Sequence, residues 1–461
     1  MLVLKNNQPT LWDSILPPEL RKLPEELAKV DEWLNDERFF IPYKERFDTS
    51  IGRPTVPVQT YIRMMYLKFR YALGYETLVQ EVSDSIAWRR FCNISIDGKV
   101  PHSTTLIKLT KKYGEEIIAE LNQILVQKAQ EKKIIRGRKL QMDTTVIEAN
   151  IHHPTDASLL ADCQKTITRT VKKIKEQGFS LRTKLQDRKR SIKKNILRIA
   201  KVLNKRSDHK HEQVRGITET IARKVEATIV EGQKVLQNAR QKLWRLKREG
   251  QTFKQHSEKL IDKLADQLQL AQTIIDQSRK ASAKEKIKDR IVSVFDKDAR
   301  PIRRGKAKAN TEFGYKVLIQ EVENKIISNY AVYQGNPSDD TLLEKAVNRH
   351  EQTLGKTPKE VATDRGFSSK DNEQKLKDKG VKRISLPFKG KKSAARKIHE
   401  KQSWFKRLQR WRAGGEATIS VLKRKYGLGR SLARGTPGTK CWVGNVIFAY
   451  NLTKLARLSM K

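Results

Sequence analysis

Cysteine is scarce in this sequence, and its three cysteines are far apart. Cys92, Cys163 and Cys441 form no Cys-x-x-Cys pair and have no histidine at the spacing of a zinc ligand. Zinc sites and disulfide frameworks both depend on clustered cysteines. The spacing therefore argues against a zinc-binding fold and against a fold held by disulfides.

Long apolar runs are also missing. No stretch approaches the roughly 20 consecutive apolar residues that a helix needs to span a bilayer. The N-terminal residues contain no basic segment followed by an apolar core, as a secretory signal would. We therefore expect no contact with a membrane and a cytoplasmic, nucleoid-associated protein.

Acidic residues are few compared with basic ones. The 461 residues include 96 Lys plus Arg and 52 Asp plus Glu, which gives a formal net charge of +44. The basic residues are spread along the whole chain, which is long enough for several domains. Such an excess favours a phosphate-rich partner such as DNA. The alternative is a basic surface that is only solvated.

Helical periodicity dominates the first part of the chain. Apolar residues recur at helical spacing from Val58 to Phe69, Gly74 interrupts the pattern, and Ser103 is placed to cap a further helix. These features predict an all-α N-terminal domain over residues 1–136. The pattern alone fits a DNA-binding role and a packing role equally well.

Strand character begins after this domain and is then interrupted. Residues 137–155 are rich in β-branched side chains and predict a first strand. Residues 156–290 contain no proline and repeat apolar residues at helical spacing, which predicts a basic insertion of long amphipathic helices. Strand-like and helix-like segments alternate over residues 291–461, beginning with IVSVFDKDARPI. Four glycines are candidate breaks in the insertion: Gly178, Gly216, Gly232 and Gly250.

This order of segments predicts an α/β fold. A mixed sheet would be flanked by helices, with the all-α domain before it and the large helical insertion after its first strand. Residues 137–155 and 291–461 would together form the catalytic domain.

Three carboxylates stand out by position. Asp143 lies in the first predicted strand, Asp364 at the carboxyl end of a later one, and Glu416 opens the final helical region. Ligand sites of open α/β sheets lie beyond the carboxyl ends of strands. Carboxylate oxygens suit Mg²⁺ or Mn²⁺, and two such ions can activate a water or a 3′-hydroxyl for attack on phosphorus. The alternative for Glu416 is an ordinary surface ion pair.

The cations around Glu416 are candidate phosphate contacts. Arg412, Glu416 and Lys423 fall close to one face of a helix, although Gly414 and Gly415 could shift the start of that helix. The candidate DNA-binding residues are Arg410, Arg412, Lys423, Arg424 and Lys425.

Other residues compete for these roles. Asp296 and Asp298 could serve as metal ligands, whereas His152–His153 has no evident third partner and is interpreted as structural. Trp404 and Trp411 lie among basic residues and could stack on a base or only pack.

Several segments carry a resemblance to a known family. The last three members of a Y-(2)-R-(3)-E-(6)-K signature are present as Arg412, Glu416 and Lys423, which are separated by three and by six residues. Gln409 occupies the tyrosine position. QMDTTVIEANI and VATDRGFSS match two aspartate motifs, and GRPTVPV and PHSTTL match an N-terminal helical domain. In these features the sequence resembles the bacterial insertion-sequence DDE transposases.

The resemblance implies a fold and an activity. The catalytic domain would be RNase H-like, and Asp143, Asp364 and Glu416 would hold Mg²⁺, with Mn²⁺ as a substitute. The enzyme would cut DNA at terminal inverted repeats and join the 3′ ends to target DNA, as a homodimer or higher oligomer. Two alternatives stay open: an inactive relative that binds DNA as a repressor, and an RNase H-like nuclease without strand transfer.

Overall fold

The computed structural model of the chain describes residues 1–5, 17–177, 183–206, 208–248, 255–303 and 311–460. The chain divides into two compact units. The first comprises Met1–Asn150 and Ile302–Lys461, and the second comprises Ile151–Pro301.

The secondary structure of the described residues is mostly helical. In chain order the helices are α1 (Pro18–Arg21), α2 (Glu25–Leu34), α3 (Ile41–Lys44), α4 (Val58–Arg70), α5 (Tyr75–Asp84), α6 (Ile86–Phe91), α7 (Ser103–Glu131), α8 (Asp156–Glu176), α9 (Lys189–Leu203), α10 (Lys210–Arg248), α11 (Gln255–Ser282), α12 (Leu343–Leu354), α13 (Lys370–Asp378), α14 (Ala394–Lys401), α15 (Ser403–Lys425) and α16 (Gly435–Ser459). The strands are β1 (Lys139–Ala149), β2 (Arg300–Arg303), β3 (Thr311–Glu321), β4 (Ile327–Tyr333), β5 (Glu360–Ala362), β6 (Arg383–Ser385) and β7 (Arg430–Ser431).

The strands form one mixed sheet with the order β2-β3-β1-β5-β6, in which β4 also pairs with β3 and β7 with β1. The central strand β1 runs antiparallel to β3, with Asp143 opposite Ile319, and parallel to β5, with Gln141 opposite Ala362. Helices accompany this sheet, and the long helices α8 to α11 follow its first strand. The predicted α/β, RNase H-like fold class is confirmed.

The two faces of β1 serve different purposes. Successive side chains of a strand point to opposite faces. Leu140 and Met142 join the apolar core that also contains Leu343 of α12 and Leu376 of α13. Gln141 and Asp143 therefore point to the other face, where Gly415 of α15 lies against Gln141. This alternation places an acidic residue of the sheet beside α15.

The N-terminal helices pack as their sequence predicts, with two local differences. Every residue of α4 except Arg70 is buried, as expected for a helix that neighbours enclose. The predicted cap is wrong by one position, because His102, not Ser103, caps α7 by accepting the backbone N–H of Thr104. Gly114, with φ of 74°, also kinks α7.

The second unit is a bundle of α8 to α11 around its own apolar core, to which Ile167, Val225 and Leu264 belong. The predicted breaks at Gly216 and Gly232 are wrong, because α10 runs through both. A Cβ at Gly232 would lie 2.7 Å from Leu268 Cδ2, so this glycine allows α11 to pack closely. Gly178 and Gly250 lie outside the described residues.

The strand predicted over IVSVFDKDARPI is also largely wrong. Residues 291–299 contain no strand, and β2 begins only at Arg300. Ser293 explains part of this, because its hydroxyl accepts the backbone N–H groups of Phe295 and Asp296 and so forms a local turn.

None of the described helices is long and apolar enough to cross a membrane.

Candidate functional site

The three candidate carboxylates come from distant parts of the chain and line one cleft of the first unit. The cleft has a volume of about 910 Å³. Asp143 reaches it from the middle of β1, Asp364 from the turn after β5, and Glu416 from α15. The fold thus brings together all three acids that the sequence singled out.

The two aspartates are held by local backbone contacts. Asp143 is half-buried, and its Oδ1 accepts the backbone N–H of Thr144 at 2.7 Å. Asp364 caps a short 3₁₀ turn at Arg365–Phe367, where its Oδ1 accepts the backbone N–H of Gly366 at 3.0 Å. A Cβ at Gly366 would lie 2.7 Å from Asp339 Oδ2 and 3.1 Å from Asp364 Oδ1, so a side chain there would displace one of these carboxylates. The turn fixes the Asp364 side chain at the mouth of the cleft.

Glu416 does not open a helix, as the sequence predicted, but lies in the middle of one. Helix α15 runs without a break from Ser403 to Lys425, through both Gly414 and Gly415. Gly415 is buried against Gln141, and a Cβ there would lie 2.8 Å from Gln141 Nε2. The glycine therefore allows the helix to lie close to β1, and this contact outweighs its low helix propensity.

Glu416 forms an ion pair with Arg412, at 3.3 Å between Arg412 Nη2 and Glu416 Oε1. The Glu416 side chain is 66% exposed, whereas that of Arg412 is 18% exposed. An exposed pair at i,i+4 contributes only a few tenths of a kcal/mol. Glu416 can therefore exchange this partner for a ligand in the cleft at small cost.

Gln409, at the tyrosine position of the signature, anchors α15 to the sheet. Its Nε2 donates to the backbone oxygens of Ser385 at 2.9 Å and Thr363 at 3.3 Å, and lies 2.9 Å from Ser385 Oγ. These acceptors lie at or just beyond the ends of β6 and β5, and Thr363 immediately precedes Asp364. One side chain therefore fixes the helix of Glu416 relative to the turn of Asp364.

Basic side chains line the cleft beside its four acids. Its lining includes five basic side chains, namely Arg365, Lys392, Lys406, Arg412 and Lys423. Of the predicted DNA contacts, Arg412 and Lys423 are among them. Lys425 lines a different pocket, on the other side of α15. Arg410 and Arg424 are exposed on α15 and line neither the cleft nor that second pocket.

A fourth acid, Glu400, lines the cleft and was missed in the sequence. Burial opposes its ionisation, but contacts from Lys392, the Phe388 backbone N–H and Arg396 outweigh that effect, so the pKa of Glu400 lies below its usual value. Its Oε1 accepts from Phe388 N at 2.8 Å and Arg396 Nε at 3.1 Å. The Arg396–Glu400 spacing of four residues was the available signal, and it indicates a structural acid.

The competing residues lie elsewhere. Asp296, Asp298 and His152–His153 belong to the second unit and do not line the cleft. His152 Nε2 lies 3.6 Å from Asp162 Oδ2, and burial raises the pKa of that carboxyl. Trp404 lines a separate pocket, and its ring meets that of His399 edge to face. Trp411 is half-buried and does not line the cleft.

The donor chemistry of the cleft fits a hard divalent cation. All four acids that line it offer carboxylate oxygens, and its lining contains no histidine or cysteine. Among the described residues, however, no three His, Cys, Asp or Glu side chains converge closely enough to hold a metal ion. Glu416 is paired with Arg412 instead.

Comparison with known proteins decides the family. Residues 18–112 match the family described as Transposase domain (DUF772), and residues 250–452 match the Transposase DDE domain. The chain belongs to the DDE transposases. The two matches together cover more than half of the chain, in the order expected for an insertion-sequence transposase.

One curated relative of this transposase can be compared over part of its length. The "Uncharacterized protein ORF8 in nfe locus" of Rhizobium meliloti is 28% identical over 176 residues, which cover 37% of this chain and 80% of the relative. No solved structure matches the chain. The DDE match includes Asp364 and Glu416, whereas Asp143 precedes it.

Proposed function

We propose that this transposase cuts DNA at the terminal inverted repeats of an insertion sequence and joins the resulting 3′ ends to target DNA. One observation carries the proposal: Asp143, Asp364 and Glu416 line one cleft together with five basic side chains. Acids among cations suit a site that holds metal ions and a polyanion at the same time.

Asp143, Asp364 and Glu416 would hold Mg²⁺, with Mn²⁺ as a substitute. The metal would supply activation of the attacking water or 3′-hydroxyl and stabilisation of the leaving oxygen. The two aspartates are positioned by the sheet and the turn after β5, whereas Glu416 has to leave Arg412 to join them. Glu416 is then the ligand that has to change its partner before the site is complete.

Arg412 and Lys423 would bind the phosphates beside the acids. Once Glu416 turns to the metal, Arg412 loses its carboxylate partner, and its guanidinium is available to a phosphate oxygen. Lys423 lies about two helical turns beyond Glu416 and reaches the same cleft. We expect these cations to position the scissile strand without replacing a metal ligand.

The test is cleavage of labelled terminal-repeat DNA in the presence of Mg²⁺. Asp143→Asn, Asp364→Asn and Glu416→Gln should each abolish cleavage and leave DNA binding largely intact, because each removes a ligand and no cation. Glu148→Gln is the matched control, since Glu148 also lies on β1 but pairs with Arg430 at 2.9 Å. Near-normal cutting by one of the three variants would remove that residue from the site.

The same preparation separates the two alternatives. A repressor-like relative would bind the DNA and never nick it with Mg²⁺ or Mn²⁺. A nuclease without strand transfer would nick it but would not join the 3′ end to a second duplex. Sedimentation of the complex would measure the proposed homodimer or higher oligomer on DNA.

A further inference from the structure

Helix α15 has a second polar pocket on the side away from the acids. Glu416, Ile419 and Lys423 line the cleft, whereas Ala417, Val421 and other residues of α15 line a pocket of about 260 Å³. Positions 417 and 421 are one turn apart and face the same way. The helix thus separates two concave surfaces of the first unit.

Cations dominate the lining of this second pocket, which we call the basic pocket. Its five basic side chains are Arg70, Lys325, Lys425, Lys454 and Arg457, and no carboxylate is among the lining residues that the structure describes. They come from α4, the β3–β4 turn, the last turn of α15, and α16. Clefts lined by one sign of charge focus the potential and attract ions of the opposite sign.

Nearby acids balance only part of this charge. Arg70 and Arg457 share one carboxylate, Glu26, at 2.8 Å for each arginine. Lys325 and Lys425 are exposed and take part in no ion pair among the residues described. Glu321 is 3% exposed, and its burial raises the pKa of its carboxyl, while the charges of Lys325 and Lys454 oppose that rise. The pocket therefore keeps a clear positive excess.

Hydroxyl and aromatic side chains fix the walls of the pocket. Tyr450 OH donates to the Lys325 backbone oxygen at 3.1 Å and so fixes the turn that carries this lysine. Thr418 is buried, and its hydroxyl lies near the Glu321 carboxyl, but its geometry does not meet that of a hydrogen bond with any described residue. Tyr426 completes the wall, with the Arg70 guanidinium 5.9 Å from its ring centre. The donors left for a phosphate are the Arg and Lys side chains, which are typical phosphate contacts in protein–DNA complexes.

We propose that the basic pocket binds a backbone phosphate of DNA, separate from the phosphates that the acidic cleft engages. The inference rests on the proposed function only in taking DNA as the partner. Catalysis needs one scissile strand in the cleft, and nothing in that requirement calls for cations on the opposite side of α15. The phosphate belongs either to the same duplex, continued past α15, or to a second duplex that the enzyme joins to it.

The first experiment measures the salt dependence of DNA binding by the full chain. Lys325→Gln with Lys425→Gln should reduce the slope of log Kd against log salt by about 1 to 2, since each lost phosphate contact accounts for about 0.9. The matched control is Lys345→Gln with Lys356→Gln, two exposed lysines of the same unit that line neither the cleft nor the basic pocket. The control should keep the wild-type slope.

The second experiment locates the phosphate. Single methylphosphonate substitutions neutralise the phosphates of the duplex one at a time. At one or two positions, neutralisation should weaken binding by the wild type several-fold and leave binding by the double lysine variant unchanged. If the pocket instead holds a second duplex, binding of the first is unaffected and capture of a labelled second duplex by the preformed complex falls.

The outcomes separate this inference from the proposed function. Three results together would overturn the phosphate site in the basic pocket. The lysine variant and its control would have equal slopes, and neutralising any phosphate would weaken binding equally in the wild type and the lysine variant. Capture of a second duplex would also be normal. A wild type that binds DNA but never cuts it would overturn the proposed function, and the slopes would still decide the inference. Circular dichroism of each variant excludes misfolding as the cause of a change.

Discussion

Gly415 of α15 lies so close to Gln141 of β1 that a Cβ added to the glycine would be 2.8 Å from Gln141 Nε2. Gln141 is buried, and its Nε2 donates to Glu321 Oε1 on the neighbouring strand β3 at 2.5 Å. The depth of α15 against the sheet is set at this contact. Glu416 follows Gly415 directly, and Asp143 follows Gln141 by two residues on the same face of β1.

Gly415→Ala should therefore slow cleavage by at least about tenfold while DNA binding persists. The new methyl group has to displace either α15 or the Gln141 amide, whose lost buried hydrogen bond costs about 1–3 kcal/mol. The measurement is Mg²⁺-dependent cleavage at saturating DNA, with urea unfolding in parallel.

Gly414→Ala is the matched control for that substitution. A Cβ at Gly414 meets no atom within 4 Å. This variant should gain about 0.5–1 kcal/mol of stability from helix propensity and cut at nearly the wild-type rate. Equal cleavage rates for the two alanine variants would show that the Gly415 contact does not position Glu416.

Glu321→Gln should make stability less dependent on pH. Burial raises the pKa of Glu321 above 4.5, against the effects of Thr418 and Gln141, so the folded state keeps this proton to higher pH than the unfolded state does. The free energy of unfolding of the wild type should therefore fall as pH rises through the window above 4.5. The variant is neutral throughout and should be the more stable protein at pH 8. Urea unfolding at pH 5 and pH 8 measures the difference.

A control and a contradicting result define that test. Glu81→Gln changes an exposed acid of the same unit and should leave the pH dependence as it is in the wild type. If Glu321→Gln loses stability equally at both pH values, the carboxylate is ionised and needed as such in the folded state.

Gln409→Met should reduce cleavage and stability together. The substitution keeps the volume of the side chain but leaves the backbone oxygens of Ser385 and Thr363 without this donor, at a cost of about 1–3 kcal/mol. We expect a cleavage rate lower by about tenfold and unchanged DNA affinity. Gln352→Met, an exposed glutamine of α12, is the control. A Gln409→Met enzyme that cuts normally would show that the anchor is not needed to position Glu416.

Helix α9 should contribute to DNA affinity through its exposed cations. No acid occurs between Arg188 and Arg206, and the described ion pairs there involve only Arg188 with Glu231 and Lys189 with Asp187. Removing three of its lysines should lower the slope of log Kd against log salt by up to about 2.7, at 0.9 per contact. The variant carries Lys193→Gln, Lys194→Gln and Lys201→Gln.

The control for α9 comes from the same bundle. Helix α11 also exposes lysines, but Asp262 and Asp266 lie among them. The control variant carries Lys259→Gln, Lys263→Gln and Lys280→Gln. Similar slopes for the two triple variants would mean that the cations of α9 are only solvated.

Much of the fold could be predicted from local patterns. The period of two over β1 and the helical stripes of α8 to α11 each reflect which side chains are apolar, and that information is present in the sequence itself. The helix breaks or starts expected at four glycines were wrong, because a glycine costs a helix only about 1 kcal/mol. These glycines are Gly216, Gly232, Gly414 and Gly415. Packing on both sides of a long helix offsets that cost, and this packing involves residues far away in sequence.

The sequence by itself determined the three acids Asp143, Asp364 and Glu416, their order along the chain, and the large excess of cations around them. Only the tertiary structure decided that they line the same cleft and that Gln409 anchors the helix of Glu416 to the sheet. It also decided that Lys425 lies on the other side of α15 from Lys423, because two residues turn an unbroken helix by about 200°. The physical reason is that a side chain's direction depends on which elements cover each face, and those contacts join residues far apart in the chain.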